Sequence, residues 1–129
     1  MKKITLLTVS LTKGGAEHQL VKLAIYLKSR GYSVNIVCFK KGNDFLDLLN
    51  HNEIKVLLLP LCFGFGFLLL IYKLKKDKTN VLISFMFAAN LVARFLSFFL
   101  KIKLITSVRV NELNKKYYLL YRLTYKFDD

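Results

Sequence analysis

Few residues in this sequence have types and spacing that could do chemistry. Gly14 and Gly15 lie in Thr12-Lys13-Gly14-Gly15-Ala16-Glu17, between the β-type run Ile4 to Val9 and a segment of helical period. Paired glycines let backbone approach a ligand with no Cβ in the way. The N–H groups that open a helix, together with its dipole, favour negative charge. The turn therefore suits an anion such as a sugar phosphate, or serves only as a tight strand-to-helix connection. It is neither GxGxxG nor GxxxxGK[ST]. Glu17, in the first helical turn, complements the dipole. His18 beside it is either a polar contact or a solvated helix position. Asn90 opens a later helix behind an apolar strand, where it would cap the N-terminus. Arg109 follows Leu104-Ile105-Thr106-Ser107-Val108. A guanidinium fixed there clamps a phosphate or a pair of sugar hydroxyls, or pairs with Glu112.

Other chemistries find no residues. The eight carboxylates contain no evident acid–base pair, so no catalytic residue can be named. GxSxG is absent. Cys38 and Cys62 sit in apolar runs, where thiols are usually inert. They form no CxxC, and His18 and His51 are too scattered for a zinc site, so no metal is expected. With no disulfide framework, a reducing compartment is the simpler reading. A dinucleotide-binding oxidoreductase would want an acidic residue at the second strand end, where Phe39-Lys40 stand.

The elements that must position these residues alternate. Strand-like runs are expected at residues 4–9, 32–39, 54–59, 81–85 and 102–108. Helical periods are expected at 16–30, 44–50, 63–77, 88–100 and 112–127, with a turn at His51-Asn52. On the first helix Leu20, Leu23 or Ala24, and Leu27 share a face, with Glu17, Lys22, Lys28 and Ser29 elsewhere. Arg30-Gly31 is a helix stop, and Pro60 ends the third strand. Strands alternating with helices imply an α/β fold with an open, doubly wound, mostly parallel Rossmann-like sheet. Neither a repeat nor a linker divides residues 1–129, which read as a single domain.

The segment from Gly14 to Phe39, GGAEHQLVKLAIYLKSRGYSVNIVCF, resembles the opening of the family-4-like, two-Rossmann-domain (GT-B) glycosyltransferases. Phe85 to Arg94 is similar to that family's "aNl.a" helix, Ser107 to Glu112 to its "S.R.n" strand end, and Tyr125 to Asp128 to its "y..aD" segment. The resemblance runs through the whole chain as an incomplete N-terminal, acceptor-side domain. It implies Gly14 and Gly15 beside the donor diphosphate, and Glu17, His18, Asn90 and Arg109 as acceptor contacts. It implies a nucleotide-sugar as co-substrate, no further cofactor, and retention of anomeric configuration. The family's second domain, with its E-x7-E motif, does not follow. The expectation is the N-terminal half of a transferase acting on a membrane-linked glycan, inactive alone, and either a truncated product or one half of a split enzyme completed by a separate C-terminal chain. The alternative is a non-catalytic scaffold or membrane-surface module.

The net charge of +13 in 129 residues calls for an anionic partner. Lys73, Lys75, Lys76 and Lys78 close a helix that starts Phe67-Leu68-Leu69-Leu70-Ile71-Tyr72. Arg94, Lys101 and Lys103 surround Phe95 to Leu100, and Lys115, Lys116, Arg122 and Lys126 accompany four tyrosines. Lysine beside apolar side chains reads as peripheral binding to an anionic leaflet, or to a lipid diphosphate. The location implied is the cytoplasmic face of a membrane. Nucleic acid is not expected, since the aromatics lie inside apolar runs and no RRM or helix-turn-helix signature occurs. Residues 56–72 are uncharged but short of the ~20 needed to span a bilayer, and Pro60, Gly64 and Gly66 interrupt them. An early polar break at Ser10 to Lys13 argues against a signal peptide.

Overall fold

Hydrogen bonding between β-branched and leucine-rich runs produces one five-stranded sheet in the computed structural model, which describes residues 1–61 and 64–107. The strands are β1 (Lys3–Thr8), β2 (Ser33–Cys38), β3 (Lys55–Leu58), β4 (Val81–Phe85) and β5 (Lys103–Ser107). The helices are α1 (Gly15–Ser29), α2 (Leu46–His51), α3 (Phe65–Lys76) and α4 (Phe87–Phe99). All neighbouring strands are parallel, in the order β3-β2-β1-β4-β5. The expected elements are therefore present in the expected order, displaced by a residue or two at their ends. His51 is helical rather than part of a turn, and Asn52 is the cap behind it. The expected helix 112–127, together with Arg109 and Cys62, lies outside the described residues.

Side chains alternate across the pleat, so one register fixes two cores. Ile4, Leu6, Val34, Ile36 and Cys38 point to one face and meet Leu20, Val21 and Ala24 of α1 and Leu49 of α2. Leu7, Val37, Leu82 and Leu104 point to the other and meet Leu70 and Leu74 of α3 and Ala89, Ala93 and Leu96 of α4. The sheet is thus wound on both sides, as its nearly continuous apolar strands require.

Helix ends explain the connections. At the end of α1, Gly31 takes φ +86°, Tyr32 N–H donates to Leu27 O and Gly31 N–H to Lys28 O. This is a Schellman stop, which satisfies carbonyls the helix cannot. α2 and α3 stop in the same way, but with Glu53 (φ 55°) and Lys78 (φ 52°) in the left-handed position.

Three sequence expectations change. Glu17, expected off the apolar face of α1, is only 7% exposed. Arg94 was grouped with the surface cations but is 1% exposed. Asn90 does not cap α4: that place belongs to Met86, and Asn90 sits one turn further in, buried.

Cys38 faces the α1 side of the sheet, and burial pushes its thiol pKa up. Alkylation at about pH 8 should run at least ~10-fold slower in the folded chain than in denaturant, read at the Cys38 peptide by mass spectrometry. Equal rates would contradict this burial. Because the folded pKa is the higher one, unfolding releases this proton more readily. The stability contribution is complete below the unfolded thiol pKa and is lost as pH rises towards the folded one.

Candidate functional site

In a sheet ordered β3-β2-β1-β4-β5, the winding reverses between β1 and β4. Ligand crevices open at the carboxyl ends of the strands flanking such a reversal. The glycine turn is at that place: β1 ends at Thr8 and α1 starts at Gly15. α4 starts beside it, after β4 ends at Phe85. Two helix N-termini therefore flank one crevice from opposite faces of the sheet. Neither has a side-chain cap, Gly14 holding the first and Met86 the second. Two positive dipole ends converging on one rim favour an anion there.

Gly14 is extended (φ −159°), a conformation open to any residue. Its lack of a side chain matters for space. A Cβ there would run into the Glu17 carboxylate, which folds back over it. Glu17 thus packs against the turn at the positive end of the helix. His18 is exposed on the next position, its backbone N–H bonded to Gly14 O (3.0 Å) and its ring edge-on to Phe45 at 6.0 Å.

The loop after β2 holds the turn in place. Phe39 and Lys40 N–H groups both donate to Val9 O, at 3.0 and 2.8 Å. Lys13 N–H donates to Asp44 Oδ2 at 2.7 Å. A Cβ on Gly42 would stand 2.9 Å from the backbone of Leu11, so the two loops approach closely only because residue 42 is glycine. Sequence reading passed over Gly42 and Asp44. Asp44 is expected to open a short helix, and nothing in one sequence says which backbone it and Gly42 pack on.

On the β4 side, Asn90 ties the rim together. Ser84 Oγ donates to Asn90 Oδ1 at 2.7 Å, and Asn90 Nδ2 donates to Ser107 O at 2.9 Å. One amide thus links β4, α4 and the end of β5. Met86, between β4 and α4, has φ 74° and ψ 150°, a region non-glycine residues rarely enter. Its sulfur accepts from Thr8 Oγ1 of β1 (3.9 Å), across the reversal. The structure brings Gly14, Gly15, Glu17 and His18 together, and sets Asn90 at the same end of the sheet.

The lysine cluster lies elsewhere. α3 runs antiparallel to the strands, so Lys73, Lys75, Lys76 and Lys78 fall where strands begin. Asn80 N–H donates to Lys3 O there, and Thr5 and Thr79 hydroxyls bond at 2.9 Å. The length of β1, roughly 20 Å, separates them from the glycine turn. They and the turn cannot hold the same diphosphate. Lys73 pairs with Asp77 at 3.1 Å, and Lys76 lies over the Tyr72 ring.

No protein-family model matches the chain. In sequence it is similar, at 34% identity over its whole length, to a Campylobacter jejuni enzyme, GalNAc-alpha-(1->4)-GalNAc-alpha-(1->3)-diNAcBac-PP-undecaprenol alpha-1,4-N-acetyl-D-galactosaminyltransferase. The chain spans 39% of that relative's length. In structure it is similar to HepE of Anabaena solved with UDP and glucose (TM-score 0.74, 20% identity, 99% of this chain and 36% of that one). It is also similar to a Rickettsia africae glycosyltransferase (TM-score 0.68, 17% identity, 93% and 33%). MurG of Acinetobacter baumannii aligns with a TM-score of 0.64 at 16% identity, over 82% of this chain and 34% of that one.

Proposed function

We propose that this chain, a Rossmann unit with the fold of GT-B glycosyltransferase N-terminal domains and a transferase as its sequence relative, is the acceptor-side half of a retaining glycosyltransferase. The observation that carries the reading is the glycine turn at the β1/β4 reversal, faced by two helix N-termini without side-chain caps. Gly14 and Gly15 let a donor diphosphate approach the backbone once the Glu17 carboxylate, which folds over Gly14, swings aside, and the converging dipoles favour its charge. Glu17, His18, Asn90 and Arg109 are the acceptor side of the same reading. Glu17 and His18 are the polar side chains of the first turn of α1, directly behind the glycines. Asn90's chief part is to hold the rim through Ser84 and Ser107. Arg109, outside the described residues, has a guanidinium able to take two sugar hydroxyls.

The donor is a nucleotide-sugar; HepE is solved with UDP-glucose and with UDP. The acceptor is a lipid-linked glycan, in keeping with the undecaprenol-linked substrate in the relative's name. Such an acceptor places the protein at the cytoplasmic face of a membrane. The remaining donor contacts come from a second Rossmann domain.

Backbone amide shifts would test this, with 15N-labelled chain and two probes: UDP-N-acetylgalactosamine and a short-chain polyprenyl-diphosphate-linked GalNAc glycan. The glycan should perturb Gly14 to His18 and Asn90, while labelled sugar is not transferred by this chain alone. Perturbations confined to the opposite rim would overturn the site. Transfer by residues 1–129 alone would overturn their reading as the acceptor side only.

A further inference from the structure

We propose that the outer faces of α3 and α4 form a membrane-docking surface that inserts Phe65, Leu68, Tyr72, Phe95 and Phe99 into the headgroup boundary of an anionic bilayer. The inference deepens the lipid-linked-acceptor reading and rests on it for the location of the protein.

The first two turns of α3, Phe65 to Tyr72, are apolar all round. Leu70 and Leu74 are spent on the core, where they are fully buried. The opposite stripe, Phe65, Leu68, Leu69 and Tyr72, follows i, i+3, i+4, i+7 spacing and stays 40–68% exposed. A helix of a water-facing surface carries charge on that stripe. α4 repeats the pattern, with Phe95 and Phe99 more than half exposed outside buried Ala89, Ala93 and Leu96. The Phe67 ring meets the Phe99 ring edge-on at 6.0 Å, which joins the two helices into one surface. A contiguous patch of large apolar groups marks an interaction site rather than scattered exposure.

Charge decides what covers it. Neither α3 nor α4 contains an acidic residue. Lys73, Lys75 and Lys76 occupy the last turn of α3, Lys78 follows, and Lys101 follows α4. The lone carboxylate among them, Asp77, pairs with Lys73. Lys76 lies along the Tyr72 ring (5.9 Å), the posture of an ammonium that stays at headgroup level while its stem follows an apolar body. Aromatic and aliphatic groups rimmed by lysine fit an anionic lipid surface. A second copy of the chain would bring lysine rim against lysine rim.

Co-sedimentation with sucrose-loaded vesicles tests the proposal, using the full chain, phosphatidylglycerol/phosphatidylcholine against pure phosphatidylcholine, and no sugar nucleotide or glycan. Binding to the anionic vesicles should be at least ~10-fold stronger, and 0.5 M salt should weaken it. Phe65→Ser/Leu68→Ser should reduce it ~10-fold or more with unchanged circular dichroism, and Lys75→Glu/Lys76→Glu should abolish the preference for anionic lipid. Absence of binding, binding indifferent to lipid charge, or binding untouched by the serine pair would each overturn the proposal. So would a dimer by light scattering that the serine pair dissolves. Vesicles without acceptor leave the transferase reading unprobed, and the amide titration uses a water-soluble acceptor, so either idea can fail while the other stands.

Discussion

Asn90→Ala is expected to lower the unfolding free energy by about 2–4 kcal/mol, although no charge and little volume are removed. Asn90 is 3% exposed, and its amide is the partner of two groups on different strands. Ser84 is fully buried, so its hydroxyl loses its acceptor with no water to replace it. Ser107 O loses a donor at the end of β5. A net hydrogen bond contributes only about 1 kcal/mol, but each buried group left unpaired costs about 1–3 kcal/mol, and here that larger penalty decides. For a chain of this length the thermal midpoint should fall on the order of 8–15 °C. Calorimetry or urea titration would measure it. Ser84→Ala/Asn90→Ala should cost clearly less than the two single changes together, because the double variant leaves no orphaned hydroxyl. Additive costs, or a loss within ~0.5 kcal/mol for Asn90→Ala, would mean that the amide does not hold the rim.

The same residue marks the limit of what its sequence context can say. Asn90 after an apolar strand reads as a cap because strand, turn and helix are local facts. Its actual place depends on Met86 taking a φ of 74° and the helix starting at Phe87, which no local pattern announces. Local facts carried much of the fold. Val34, Ile36 and Cys38 alternate in sequence and do share a face. Arg30-Gly31 ends α1 as its composition implies, and Val81–Phe85 matches its apolar run at both ends. Parallel strands buried on both sides advertise themselves, since no other element needs such continuous apolar runs. The long-range contacts were silent. Gly42 against Leu11, Asp44 on Lys13 N–H and the burial of Arg94 join segments that the sequence holds apart. The lysines of α3 could be seen as a cluster, but which rim they occupy follows only from the parallel register. That register is what sets them a strand's length away from the glycine turn.

Gly66→Ala is expected to destabilise the chain by about 1–3 kcal/mol, opposite in sign to the usual effect of alanine in a helix interior. Helical propensity alone would favour alanine by about 0.5–1 kcal/mol. Gly66, however, is buried on the inner side of α3, where the helix passes over the loop from β3. A Cβ there would collide with the Pro60 carbonyl oxygen and stand 2.9 Å from Leu61 Cα. Those are backbone atoms, so no rotamer change can clear them. Either the loop or the start of α3 must shift, and both are anchored, since β3 ends at Leu58 and Leu70 is fully buried in the core. Overpacking therefore outweighs propensity. Lys75→Ala, on the exposed side of the same helix, should stay within ~0.5 kcal/mol of the parent and shows what alanine does where space is open. Urea denaturation of both variants distinguishes the terms. A higher midpoint for Gly66→Ala would mean that the loop yields at no cost. A lower midpoint with an unchanged slope would locate the effect in the native packing of α3, the helix that also carries Phe65, Leu68 and Tyr72 to the surface.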